Sequence, residues 1–89
     1  MILQKKDINK LKEWGVKESD FEQIERATHK SITTYTLNDK NITREKAIEL
    51  LGREAWLSGI LRSAFHWTAA RIVKDGNNVI IFDSSKLFR

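Results

Sequence analysis

Apolar residues recur three and four positions apart along most of the chain, and short β-branched runs break that rhythm. Ile8, Leu11 and Trp14 share one face of a helix predicted from Ile2 to Trp14, with Lys6, Lys10, Lys12 and Glu13 on its wet side. Gly15 followed by Val16 reads as a glycine C-cap, since glycine takes the left-handed conformation without a Cβ clash. Ser19-Asp20-Phe21-Glu22 matches a capping box opening a second helix, whose buried face is Phe21, Ile24 and Ala27 and which fades between Thr28 and Ser31. Ile32 to Leu37 is β-branched and aromatic and predicts a strand. Asn38-Asp39-Lys40-Asn41 is a turn by composition. Thr43 is then a natural N-cap, with Ile42 as staple, Glu45 in the first turn, and Ala47, Ile48 and Leu51 facing inward. At Gly52 the pattern allows a continuous helix but favours a break or kink.

The longest helical rhythm runs from Arg53 to Lys74. Leu57, Leu61, Ala64, Phe65, Thr68 and Ile72 form an apolar stripe, with Trp56, Ile60 and Trp67 beside it. Ala55, Gly59, Ser63 and Ala70 form a line of small residues, which suits tight packing in a crowded interior or a seam between two copies. Arg53 and Arg71 point one way on such a helix and Arg62 the other, so its basic groups make no single stripe. Arg62, His66 and Lys74 cluster towards its C-terminal half, with Trp67 interleaved as a stacking surface. Beyond it, Asp75-Gly76-Asn77-Asn78 is a turn and Val79 to Phe82 a strand. That strand pairs either with Ile32–Leu37 or, as a hairpin, with Arg71–Val73. The closing Leu87 and Phe88 are expected to tuck onto the core.

The expected fold is therefore α+β and mainly helical. About four helices surround a long central helix (53–74), with a small two- or three-stranded antiparallel sheet (about 32–37 and 79–82) in one domain, 1–89. Length agrees, because 89 residues provide material for one core only. Proline is absent and glycine scarce, as in an ordered helical domain. Without cysteine, disulfide and thiolate chemistry are excluded. The opening MILQKKDINK lacks a signal-peptide apolar run and no stretch is long enough to span a membrane, so the expectation is a cytoplasmic protein with no membrane partner.

Charge changes the picture more than composition does. The net charge is +4, and the basic residues concentrate in 1–17 and 51–74, on either side of an acidic stretch at 18–30. Catalytic chemistry is not evident. His29 and His66 lack the i, i+4 companion of a metal site, the glycines form no phosphate loop, and Ser58 and Ser63 sit mid-helix. The expectation is a non-enzymatic binding protein with no cofactor and no metal.

From Thr43 onward, E-x-A-I-E-L-L-G, a second helix, a turn and V-I-I-F-D-S-S-K-L follow one another. This order resembles the small winged helix-turn-helix proteins of the excisionase type. Those proteins run from a helix with an E-A-A-x-x-L core through a recognition helix and a hairpin wing to a closing F-D-x-x-x-L. Glu45, Ala47, Leu50 or Leu51, Phe82, Asp83 and Leu87 carry the likeness. A long, mostly apolar Arg53–Lys74 helix is a departure from their short polar recognition helix.

Two functions are expected. The first is binding of DNA or RNA, as by a phage or mobile-element protein, through Lys5, Lys6, Lys10, Lys12, Arg62, His66, Trp67, Arg71 and Lys74. The second is a protein-interaction module acting as an inhibitor, such as an anti-CRISPR or other anti-defence protein. It would engage a basic host protein through a phosphate-mimicking patch at Glu18, Asp20, Glu22 and Glu25, or form a homodimer through the Ala55, Gly59, Ser63, Ala70 face.

Overall fold

A computed structural model of the chain describes residues 3–65 and 69–88. Helix α1 (Lys5–Glu13) starts one turn later than the apolar spacing allowed. The Asp7 carboxylate fixes that start by accepting the Gln4 N–H at 2.8 Å. It ends as expected at Gly15, where φ is +84°. The Gly15 N–H reaches Lys12 O and the Val16 N–H reaches Leu11 O, the two bonds of a Schellman ending.

Helix α2 (Phe21–Ala27) is entered through a 3₁₀ turn at Glu18–Asp20. The Ser19 capping box is therefore not formed. Asp20 takes the N-cap position with near-helical angles (φ −93°, ψ −8°) and no side-chain cap bond, while its own N–H is satisfied by Lys17 O. An extended N-cap residue, which a capping box requires, is missing there.

Strand β1 (Thr34–Leu37) turns back at once into β2 (Lys40–Ile42). Asn38 and Asp39 both have positive φ, 49° and 71°, the signature of a two-residue type I′ hairpin. The turn is thus half as long as composition predicted, and Lys40 to Ile42 is released to pair with Leu37 to Tyr35. Helix α3 (Arg44–Leu51) begins on Thr43, whose hydroxyl accepts the Lys46 N–H at 3.0 Å. Gly52 ends it with φ 85°, a conformation in which other residues are strained, and its carbonyl accepts the Trp56 N–H of the next helix. One residue therefore closes α3 and opens α4 (Arg53–Phe65), so the chain breaks at Gly52.

The long central helix is the main correction. The described helix α4 covers Arg53–Phe65, and Ala70–Lys74 is not its continuation but strand β3, paired along its length with β4 (Asn78–Asp83). Asp75 and Gly76, at φ 56° and 76°, make the tight turn between them. Local preference in Ala69-Ala70-Arg71 is helical, but a strand here pairs Ala70 with Phe82 and Ile72 with Ile80 and lays both pairs on the core. Tertiary pairing overrides propensity.

The sheet has four antiparallel strands in the order β2-β1-β4-β3, so β4 pairs with both of its candidate partners, and the fold is α+β. Its inner face carries Tyr35, Leu37, Ala70, Ile72, Ile80 and Phe82, packed with Trp56, Leu57 and Ile60 of α4 and Leu11, Ile24 and Ala47 of the other helices. Trp56 donates its indole N–H to Tyr35 Oη at 3.1 Å, and the Tyr35 and Phe82 rings meet edge to face at 5.1 Å. The closing 3₁₀ turn, Ser85–Phe88, lays Leu87 on the core but leaves Phe88 exposed.

Polar groups inside the fold join elements far apart in sequence. Thr33, Ser84 and Ser63 form a buried hydroxyl chain, with Oγ–Oγ distances of 2.6 and 2.8 Å and ends on the Ala27 and Ile60 carbonyls. Three helix endings are capped by side chains from other elements: Gln23 donates to Ala64 O, Arg44 to Thr28 O and Lys74 to Leu50 O. Each takes a carbonyl that the helix itself leaves unsatisfied.

Candidate functional site

The basic residues selected from the sequence are dispersed. Lys5 and Lys6 project from the first turn of α1 and form no ion pair among the described residues. Lys10 stands 3.4 Å from Glu13 and 3.8 Å from Glu54, and Lys12 stands 3.6 Å from Glu18. These are exposed pairs of little strength, yet they halve the charge that α1 offers a polyanion. Arg62 is exposed on the last turn of α4. His66 and Trp67 lie outside the described residues.

Arg71 and Lys74 are not on a helix, so the expected cluster with Arg62 and His66 does not arise from helical spacing. Arg71 points from the outer face of the sheet, opposite the face that holds the core, beside Ile81 of β4. Lys74 donates its ammonium to Leu50 O in the last turn of α3 and is only partly exposed. It acts as a structural cation within the hairpin.

Small residues 55, 59, 63 and 70 do not lie on one helix line. Ala70 belongs to a strand, and Gly59 and Ser63 are buried against Phe82 and Ser84 of the same chain. Small size here serves helix-on-sheet packing. The acidic group is also partly committed: Glu18 pairs with Lys12, and the Glu25 carboxylate accepts the Leu3 N–H at 3.1 Å. Glu22 is exposed and Asp20 half-buried.

Two features were missed. One is the ion pair of Asp7, 3% exposed, with Arg53, whose Nη2 lies 2.9 Å and Nε 3.0 Å from the carboxylate. The Arg53 guanidinium also stands 5.2 Å from the Trp56 ring, so α1 is clamped to the start of α4. The alternation of Asp7 with lysines gave no hint of a partner 46 residues away. The other is the open sheet face itself: Arg71, Val73, Val79 and Ile81, with Thr34 and Thr36, lie outside the core cluster, and Val73 is 52% exposed. Strand alternation in 70–74 would have exposed it, had that segment been read as a strand.

From α3 onward the structure runs helix, one-residue break, helix, hairpin, with Asp83 and Leu87 closing. At 13 residues, α4 is much shorter than the Arg53–Lys74 helix expected from periodicity, which removes most of that departure from the winged helix-turn-helix pattern. Its inner positions are nevertheless apolar, and its outward positions carry only Glu54 and Arg62 as fully exposed charges. Among the described residues no group of three His, Cys, Asp or Glu side chains could hold a metal ion, and no helix is long and apolar enough to cross a membrane. No family model, no curated protein and no solved structure matches the chain.

Proposed function

We propose that the chain is a small nucleic-acid-binding protein that presents the outer side of α4 together with the β3–β4 hairpin. The observation that carries this reading is the order α3, Gly52, α4, hairpin, in which two short helices joined by one residue are followed by an antiparallel wing. Surplus positive charge supports it: Lys5, Lys6, Arg62 and Arg71 are exposed and form no ion pair among the described residues. Contacts of this kind are made to phosphates and carry little sequence information, so the binding is to nucleic acid broadly and is salt-sensitive. Gel retardation of mixed-sequence duplex DNA and of single-stranded RNA at low salt tests it. A retarded band that weakens in Arg62→Gln is expected, and no retardation of either probe contradicts the reading.

A protein partner is the second reading, in the manner of a small inhibitor. The open sheet face favours it, because Val73, Val79 and Ile81 share with Arg71 the face of the sheet that lies outside the core. Val73→Asp should abolish capture of such a partner, and capture equal to that of wild type would contradict this second reading.

A further inference from the structure

The structure places two cations on one carboxylate oxygen in a concavity of about 290 Å³, formed where the loop after α2, the β1–β2 hairpin and the start of α3 meet. Lys30 Nζ lies 3.5 Å and Arg44 Nη2 3.2 Å from Glu45 Oε1. Arg44 is held rigidly, with its side chain 15% exposed and its Nη1 donating to Thr28 O. A guanidinium has five N–H donors, these two bonds use two of them, and Arg44 lines the concavity. Thr34 and Asn41 line the same space and add a hydroxyl and a carboxamide. Tyr35 and Ile42 supply its apolar wall.

We propose that this concavity is a phosphate-binding site in which the Glu45 carboxylate occupies the anion seat when no ligand is present. Donors converge there from a loop, a hairpin and a helix, which suits a tetrahedral oxyanion with several acceptor oxygens better than a planar carboxylate. Charge agrees, since Lys30 and Arg44 against Glu45 leave one positive charge unbalanced. In the first turn of α3 the Lys46 N–H is already taken by Thr43. The volume is at the lower end of small-molecule pockets, roughly 300 Å³, and fits a phosphate with a small organic group. The ligand is a phosphate monoester or a nucleic-acid backbone phosphate, and the site does not depend on α4 or the β3–β4 hairpin.

Glu45 makes the test sharp, because it is exposed and can be neutralised without disturbing the core. Amide chemical shifts are followed in wild type, Glu45→Gln, Lys30→Gln and Arg44→Gln during titration with inorganic phosphate at constant ionic strength. A mixed-sequence oligonucleotide is the second probe. Saturable shifts at Lys30, Thr34 and Arg44 are expected, about tenfold tighter in Glu45→Gln because a competing charge is gone, and weaker in both cation variants. Lys30 is largely exposed, so Lys30→Gln keeps the test valid even if loss of the Arg44 cap unfolds the α2 end. Response to phosphate alone supports a small-ligand site, and response to the oligonucleotide with the same variant ranking supports a backbone phosphate in the same seat. No saturable shift from either probe in Glu45→Gln at tens of millimolar, or an equal response in Glu45→Gln and Lys30→Gln, overturns the proposal.

Discussion

The ring of Phe82 lies directly over the Cα of Gly59, so close that a Cβ on residue 59 would stand 2.5 Å from Cε2 and 2.7 Å from Cζ. Phe82 is fully buried and also packs edge to face on Tyr35, so the ring has little room to retreat. Gly59→Ala gains about 1 kcal/mol of helix propensity and loses more to overpacking, which costs about 1–3 kcal/mol and occasionally more. A net loss of stability is expected in denaturant unfolding. Ala55→Gly, on the same helix, should cost only the propensity difference.

Asp7 and Arg53 are expected to be strongly coupled. Removing Arg53 takes the guanidinium from the buried Asp7 carboxylate, and Asp7→Ala releases the Gln4 N–H that starts α1. Loss of one member of a buried pair costs about 3–5 kcal/mol, and the partial exposure of Arg53 places this pair at or below the lower end. A double-mutant cycle of Asp7→Ala and Arg53→Ala should give a coupling energy of about 1–3 kcal/mol, and additive losses would show that the clamp contributes nothing.

Ser84 is the middle of the buried hydroxyl chain. Thr33 and Ser63 donate to backbone carbonyls, so the single Ser84 proton serves one of the two Oγ contacts at a time, and Ser84→Ala leaves both neighbours on their carbonyls. The expected loss is about 0.5–1.5 kcal/mol in thermal or chemical unfolding.

Alkaline stability should follow Tyr35. Burial pushes its phenol up to about 12 from the ordinary 10.0, against a smaller opposing effect of the Trp56 hydrogen bond. The folded chain thus holds this proton more tightly than the unfolded chain. Its contribution is fully present below pH 10 and is lost as pH rises from 10 through 12, by about 2–3 kcal/mol in all. Tyr35→Phe should be less stable at neutral pH, because the Trp56 N–H loses its acceptor, yet should lack the drop attributable to this phenol above pH 10. A drop of equal size in the variant would place the alkaline transition elsewhere.

Local signals in the sequence proved readable where one residue decides the backbone. Gly15, Thr43, Gly52 and the Asp75–Gly76 turn all act at the positions their chemistry implied. Signals failed where distant partners decide. Ala70 to Ile72 continues the helical rhythm of α4, and only β4 makes it a strand. Lys40 and Asn41 looked like turn residues by composition, but Asn38 and Asp39 complete the turn in two positions. The same holds for the candidate surfaces. Lys74 and Glu25 read as surface charges in one dimension, but a carbonyl and an amide from other elements have claimed them. Arg62 and Arg71 are exposed, and nothing in a helical wheel could have put Arg71 on the outer face of a sheet.

Fluorescence anisotropy of a labelled mixed-sequence duplex, followed across a salt titration with wild type and with the Arg62→Gln, Arg71→Gln double variant, bears hardest on the nucleic-acid reading. Neither arginine holds the fold together, so the variant should remain folded. Binding near 50 mM salt is expected, with the logarithm of affinity falling linearly against the logarithm of salt concentration and a slope less steep by about 2 in the variant. Absence of binding at that salt, or an identical slope in wild type and variant, would contradict it.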